Sequence, residues 1–227
     1  MVRNFNFAVG EYYHIYNRGN DRRNIFSSDK DRDRFMALLY LCNTSETIHL
    51  SDYPKSALNQ LLDLPRSSTL VDIGTYCLMP NHFHLLIHES EEGGISRFMQ
   101  KLLTGYTMYF NRRYQRSGSL LESSFRAKHI EDDEYLKYLF AYIHLNPVKI
   151  KDPDNWDKKV IPDVKKALDF LNNYPYSSFL DYLNLNRLEK TILNQSVFPE
   201  YFLEPREFED FIKDWATYED DLAIVKV

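Results

Sequence analysis

Glycine is scarce in this chain, with 7 in 227 residues. That speaks against a glycine-rich loop cradling a nucleotide phosphate, which needs several glycines at close spacing. Cysteine is nearly absent. Cys42 and Cys77 lie far apart, without metal or redox spacing, and read as buried free thiols of a cytosolic chain. No stretch approaches the roughly 18 apolar residues of a membrane helix. The opening MVRNFNFAVGEYY holds no long apolar run, so no signal peptide is expected. Positive charge is also in deficit. The net charge is −5 and the pI near 5.8, which on its face argues against nucleic-acid binding.

What is present changes that last reading. Hydrophobic residues make up 44% and charged residues 27%, the balance of a globular protein with a sizeable core. The length suits one large domain or a core with an appendage. Aromatic residues reach 15%, which suits either a tightly packed core or a surface that stacks on bases. The charge is uneven. Between Arg97 and Lys128 stand seven basic residues and one acidic. Between Glu200 and Asp221 stand nine acidic and two basic. An acidic total can hide a basic face, and the face is what meets phosphate.

The chain in order gives an alternating pattern. Residues 12–18, YYHIYNR, read as a strand, and Gly19-Asn20-Asp21 as a turn. Ser27 or Ser28 caps a helix to about Asn43. Residues 44–69 are a polar excursion with a short helix over 56–62. Residues 70–78 and 82–88 are strands joined at Pro80-Asn81. A helix spans 95–114, a strand 123–130, and a helix runs from an Asp132 or Asp133 cap to about Asn146, where Pro147 stops it. This β-α-β-β-α-β-α order predicts an α+β fold, a ferredoxin-like (RRM-like) antiparallel sheet with helices on one face. Two parts are expected: a core over 1–150 and a helical, acidic extension over 151–227. That extension either covers the basic face or packs as a helical cap.

Three groups of residues have chemical potential. His82 and His84 are two apart on a strand, so their side chains share a face. They are either half of a metal site or two ordinary histidines. His88 shares the face but lies ~13 Å from His84 along the strand, too far to share an ion. Tyr142 and Asn146 are four apart on a helix, hence neighbours. They are either a nucleophile beside an amide ligand or part of an aromatic core stripe with a terminal cap. Arg112, Arg113, Arg116, Arg126 and Lys128, with aromatics between them, suit phosphate neutralisation and base stacking, or a solvated face. Asn17, Arg18 and Arg22 around the first turn are either a phosphate clamp or simply a turn.

The motifs YYHIYNRGNDRRNIF, YCLMPNHFHLLIH, MQKLLTGYTMYFNRRYQRSGSLLESSFRAKHI, YLKYLFAYIHLNPVK and YPYSSFLDYL occur in this order across most of residues 12–183. Together they resemble the REP-associated tyrosine transposases, a branch of the single-strand HUH transposases related to the IS200-like transposases. The resemblance implies an HUH nuclease core. It implies that His82, His84 and Asn146 hold a divalent ion, Mg²⁺ or Mn²⁺, and that Tyr142 is the nucleophile, in preference to Tyr106 and Tyr109. It implies cleavage and rejoining of single-stranded, hairpin-forming DNA through a 5′-phosphotyrosine, in a monomer rather than a homodimer, in the cytoplasm at the nucleoid and not at a membrane. Two other readings remain open. One is a DNA-binding regulator that keeps the fold without cutting. The other is a hydrolase in which His82, His84 and Asp72 hold Zn²⁺.

Overall fold

Residues Tyr12–Arg18 form strand β1, in which Tyr13, Ile15 and Asn17 turn to one face and Tyr12, His14, Tyr16 and Arg18 to the other. The computed structural model describes residues 6–46, 56–157 and 161–217. Helix α1, Asp29–Leu41, follows β1, with Ser28 at its N-cap. Its first turn is fastened by Asp31, whose buried carboxylate accepts the Ser27 and Ser28 backbone N–H groups, each at 2.9 Å. A short helix α2, Leu58–Leu62, lies in the polar excursion, of which residues 47–55 fall outside the described residues.

Strands β2, Asp72–Met79, and β3, His82–His88, form the hairpin expected around Pro80-Asn81. Helix α3, Gly94–Arg113, and strand β4, Arg126–Ile130, complete the repeat. The sheet order is β2-β3-β1-β4, and every pairing is antiparallel. This is the expected ferredoxin-like arrangement. β4 is shorter than the stretch 123–130 because Asn17 bonds the carbonyls of Ser123 and Ser124 with its side chain instead of through a strand ladder.

The two crossover helices α1 and α3 share one face of the sheet, as expected. Tyr13, Ile15, Phe83, Leu85 and Ile87 meet Phe35, Leu39, Phe98 and Leu102 there in one buried cluster. The opposite face is also covered. Helix α4, Asp133–Leu145, begins where Asp132 accepts the Tyr135 N–H at 2.7 Å, and it lays Leu139, Tyr142 and Ile143 against Cys77, Met79 and Leu86.

The remaining elements pack around α4. They are α5, Val148–Lys151; α6, Pro153–Asp157; α7, Val164–Leu171; α8, Phe179–Tyr182; and α9, Pro205–Thr217. The motif at 174–183 seals the outer edge of β2. Leu78 N–H donates to Tyr176 O at 2.9 Å and Ser178 N–H to Tyr76 O at 3.0 Å, so no open strand edge remains there to template aggregation. The acidic helix α9 rests on α4, with Phe208 5.1 Å from His144 and Trp215 5.7 Å from Tyr138, ring to ring. Over its described residues the tail is therefore a cap on α4, on the sheet face away from α3. Residues 218–227 lie outside the described residues, as do Met1–Phe5 of the opening segment. Among the described residues no helix is long and apolar enough to cross a membrane.

Candidate active site

The pleat of two neighbouring strands builds the first half of the site. In the β1–β3 register Arg18 stands opposite His82 and Tyr16 opposite His84. Directly opposed residues share a face, so Arg18, Tyr16, His82 and His84 all point toward α4. Phe83, between the histidines, turns to the other face and packs on Phe35 with ring centroids 5.0 Å apart. The two imidazoles lie 5.0 Å apart, centroid to centroid, nearly perpendicular.

Helix α4 brings the second half. Its last turn places the Tyr142 ring 5.4 Å from the His84 ring. Asn146, just past the helix end, donates its amide N–H to Tyr142 O at 3.2 Å. Its side chain also interacts with the Tyr142 hydroxyl and the His82 ring. All four side chains are buried, with His84 at 0% exposure and Asn146 at 1%. Residues some 60 positions apart in sequence thus form one cluster at one end of the sheet.

The protons on the histidines can be worked out from their surroundings. Burial, then the nearby Arg18 and Lys149 charges, push His82 down to about 3, so its ring is neutral near pH 7. A neutral imidazole carries one N–H. His82 Nδ1 faces Asn81 Oδ1 at 2.6 Å, and the Asn81 orientation is fixed by its own N–H donation to Arg22 O at 3.2 Å. With the His82 proton on Nδ1, the other nitrogen turns a lone pair toward the Asn146 side. His84 is pushed well below the ordinary histidine range by burial and then by His82, His14 and Lys149. Its Nδ1 contacts His14 Nε2 at 2.9 Å, and its Nε2 is buried with no hydrogen-bond partner among the described residues.

An orphaned buried nitrogen is costly unless a ligand meets it. Two imidazole lone pairs and one amide oxygen, all neutral, fit a divalent ion that accepts nitrogen and oxygen donors and keeps positions open. His82, His84 and Asn146 are the residues that would hold it. Among the described residues no three His, Cys, Asp or Glu side chains form a metal cluster. The ligand set His82, His84 and Asp72 is therefore not assembled. Asp72 pairs with His88 at the far end of the hairpin, at 2.9 Å, and also accepts from Ser90 and Asn194.

The cations divide into two groups. Arg18 and Lys149 flank the histidines, and both charges push the His82 ring toward its neutral form. Arg126 and Lys128 stand opposite Tyr16 and His14 on β4, so they share the histidine face. Lys128 already rests over the Tyr135 ring at 3.9 Å, and Arg126 reaches Glu122 at 3.4 Å. Arg22 lies in the turn beside Asn81. Arg112 and Arg113 end α3, and Arg116 follows it, on the other side of the sheet. Arg113 is 3.4 Å from Asp31, and Arg116 bonds Asn111 at 3.2 Å, so both have structural employment.

Asn17 does not fit its expected role as a DNA contact. It is 1% exposed, its amide N–H groups serve Ser123 O and Ser124 O, and its Oδ1 accepts from Arg18 N at 2.9 Å. It is a clip between β1 and the entry to β4. Tyr106 and Tyr109 lie on the α3 side, the first bonded to Ile25 O and the second to Asp31 at 3.0 Å. Three residues near the site were missed from sequence: His14, Lys149 and Trp156, whose ring is 6.2 Å from Tyr142. The alternation of Tyr12, His14, Tyr16 and Arg18 was a usable signal for His14. Nothing in the sequence pattern marks the other two.

Fold and site together define an α+β protein with a composite His-His-Asn-Tyr cluster at one end of an antiparallel sheet. Residues 8–146 match the family described as Transposase IS200 like, and the chain belongs to that family of transposase enzymes. A solved structure of a REP-associated tyrosine transposase bound to a REP hairpin shares the fold, with a TM-score of 0.50 and 14% identity over 98% of this chain and 94% of that one. No curated protein matches the chain.

Proposed function

We propose that the chain cleaves and rejoins single-stranded, hairpin-forming DNA, with Tyr142 as nucleophile. The observation that carries this reading is the convergence of Tyr142 with the orphaned His84 nitrogen, His82 and Asn146. An Mg²⁺ or Mn²⁺ ion held by His82, His84 and Asn146 would polarise the scissile phosphate and offset charge in the transition state. The DNA partner is supported by the family and by the hairpin that the fold neighbour binds.

The residues perform distinct tasks. Burial pushes the Tyr142 hydroxyl up to about 12, and the Asn146 amide opposes that shift. The phenol is thus protonated at rest and loses its proton as its oxygen attacks phosphorus. The bond from phosphorus to the 3′-oxygen breaks, and that oxygen takes up a proton. Cleavage therefore consumes no net proton and leaves a 5′-phosphotyrosine and a 3′-hydroxyl. A second 3′-hydroxyl can reverse the step, since the covalent link preserves the phosphodiester energy. Arg18 and Lys149 hold the phosphate, and Arg126, Lys128 and Arg22 guide the flanking strand. Every element of the cluster comes from one chain, which supports action as a monomer.

The test is incubation with end-labelled hairpin DNA and either Mn²⁺ or Mg²⁺. A denaturation-resistant protein–DNA adduct is expected, absent in Tyr142→Phe. Specific binding with no adduct under either metal would overturn cleavage and leave a regulator on the same fold.

A further inference from the structure

Beneath His84 lies a second imidazole for which the proposed chemistry has no task. His14 is 0% exposed on β1, and its ring stacks on His84 with centroids 5.1 Å apart and planes 17° from parallel. Its Nε2 is 2.9 Å from His84 Nδ1. Its ring is also 6.3 Å from that of Tyr142. A fully buried imidazole is expensive without a purpose.

Only one proton can lie between the two facing nitrogens. If His84 Nδ1 donates, the His84 Nε2 lone pair turns into the site. If His14 donates, His84 Nε2 carries the N–H that meets no acceptor among the described residues, and if His84 donates, His14 Nδ1 carries it. The orphan count is equal, and the ligand role of His84, which needs the Nε2 lone pair, selects the first arrangement. The second arrangement also directs the positive end of that N–H toward a site flanked by Arg18 and Lys149. The first presents a lone pair to those charges. Metal-binding histidines are ordinarily oriented in this way, by an acceptor on the far ring nitrogen. Here the acceptor is another imidazole instead of a carboxylate or carbonyl.

We propose that His14 is a positioning residue: it accepts the Nδ1 proton of His84, fixes that ring, and turns the Nε2 lone pair toward Asn146 and Tyr142. This rests on the reading of His84 as a ligand. It does not depend on Tyr142 being the nucleophile.

The test uses the full chain without DNA. Nitrogen NMR of the metal-free protein reads the His84 tautomer, and Mn²⁺ titration followed by electron paramagnetic resonance reads affinity. The wild type is expected to hold His84 protonated on Nδ1. His14→Phe keeps the ring volume and removes the acceptor, and Mn²⁺ affinity should fall about 10- to 100-fold. His14→Gln restores an acceptor oxygen and should recover part of that loss. A wild-type His84 protonated on Nε2 overturns the proposal. So does Mn²⁺ affinity within twofold of wild type in both variants. If His14→Phe does not fold, the wild-type tautomer and His14→Gln still decide. Wild-type protein that binds no Mn²⁺ would sink the ligand reading itself, a distinct outcome visible before any variant is made. Loss of the DNA adduct in Tyr142→Phe is scored separately.

Discussion

The two faces of the sheet are made by the same strands and are put to opposite uses. On the α1–α3 face, Tyr13, Ile15, Phe83, Leu85 and Ile87 are shut into a close-packed apolar cluster. On the α4 face, the alternate residues of the same strands are His14, Arg18, His82 and His84, beside Tyr142, and buried nitrogens of His14 and His84 lack partners among the described residues. One face holds the fold and the other keeps the chemistry. A β-strand makes this division cheap, because adjacent residues point to opposite faces without any change of backbone. The contrast extends to charge. The cations that crowd the histidines come from β1 and from α5, whereas the conspicuous basic end of α3 lies behind the sheet and is partly tied to Asp31.

The sharpest way to break this contrast is Tyr142→Phe. Adduct formation should drop more than about a thousandfold, because no other hydroxyl replaces the nucleophile. The melting temperature should stay near wild type, since the ring that packs against Met79 and Leu86 is kept. Phe83→Ala tests the converse from one residue away. Its ring is fully buried against Phe35, so it should cost about 3–5 kcal/mol of stability in chemical denaturation. Adduct yield per folded molecule should hold. A strong loss of chemistry without loss of stability would show that the two faces are not separable.

A smaller effect is expected from Asn17→Ala. It strands the Ser123 and Ser124 carbonyls, for about 1–3 kcal/mol, and urea melts would read it. Salt dependence of hairpin binding should not change, whereas a direct DNA contact would change it. The smallest pair compares cations. Arg18→Ala should reduce the slope of log affinity against log salt by about 1, as expected when one phosphate contact is lost. Arg112→Ala, behind the sheet, should leave that slope near its wild-type value. A slope reduced in Arg112→Ala and unchanged in Arg18→Ala would mean that the basic helix, and not the histidine face, tracks the strand.

Much of the fold was legible because its signals are local. Alternation marked β1 and β3, Pro80-Asn81 marked the hairpin, and Asp132 and Pro147 bracketed α4. β4 was overextended because Asn17 diverts the ladder, and that interaction is more than 100 residues long in sequence. The pairing of His82 with His84 was legible through strand parity. Their proximity to Tyr142 was not derivable from spacing, which by itself favoured the reading of that helix as a core stripe. That reading is also true in part: Tyr142 stacks on Tyr138 at 5.7 Å while facing His84.

The sequence by itself determined which residues share a face, where the strands turn, and which side chains have the chemistry for the site. Those follow from backbone periodicity and from side-chain type, and neither needs a partner. Only the tertiary structure decided that α4 crosses the histidine face, that His14 lies under His84, and that Asp72 and Asn17 are engaged elsewhere. Those outcomes depend on contacts between segments that are remote in sequence. A buried polar atom is defined by what surrounds it, so whether a histidine is a ligand, a support or a bystander is settled only when the helix and sheet come together.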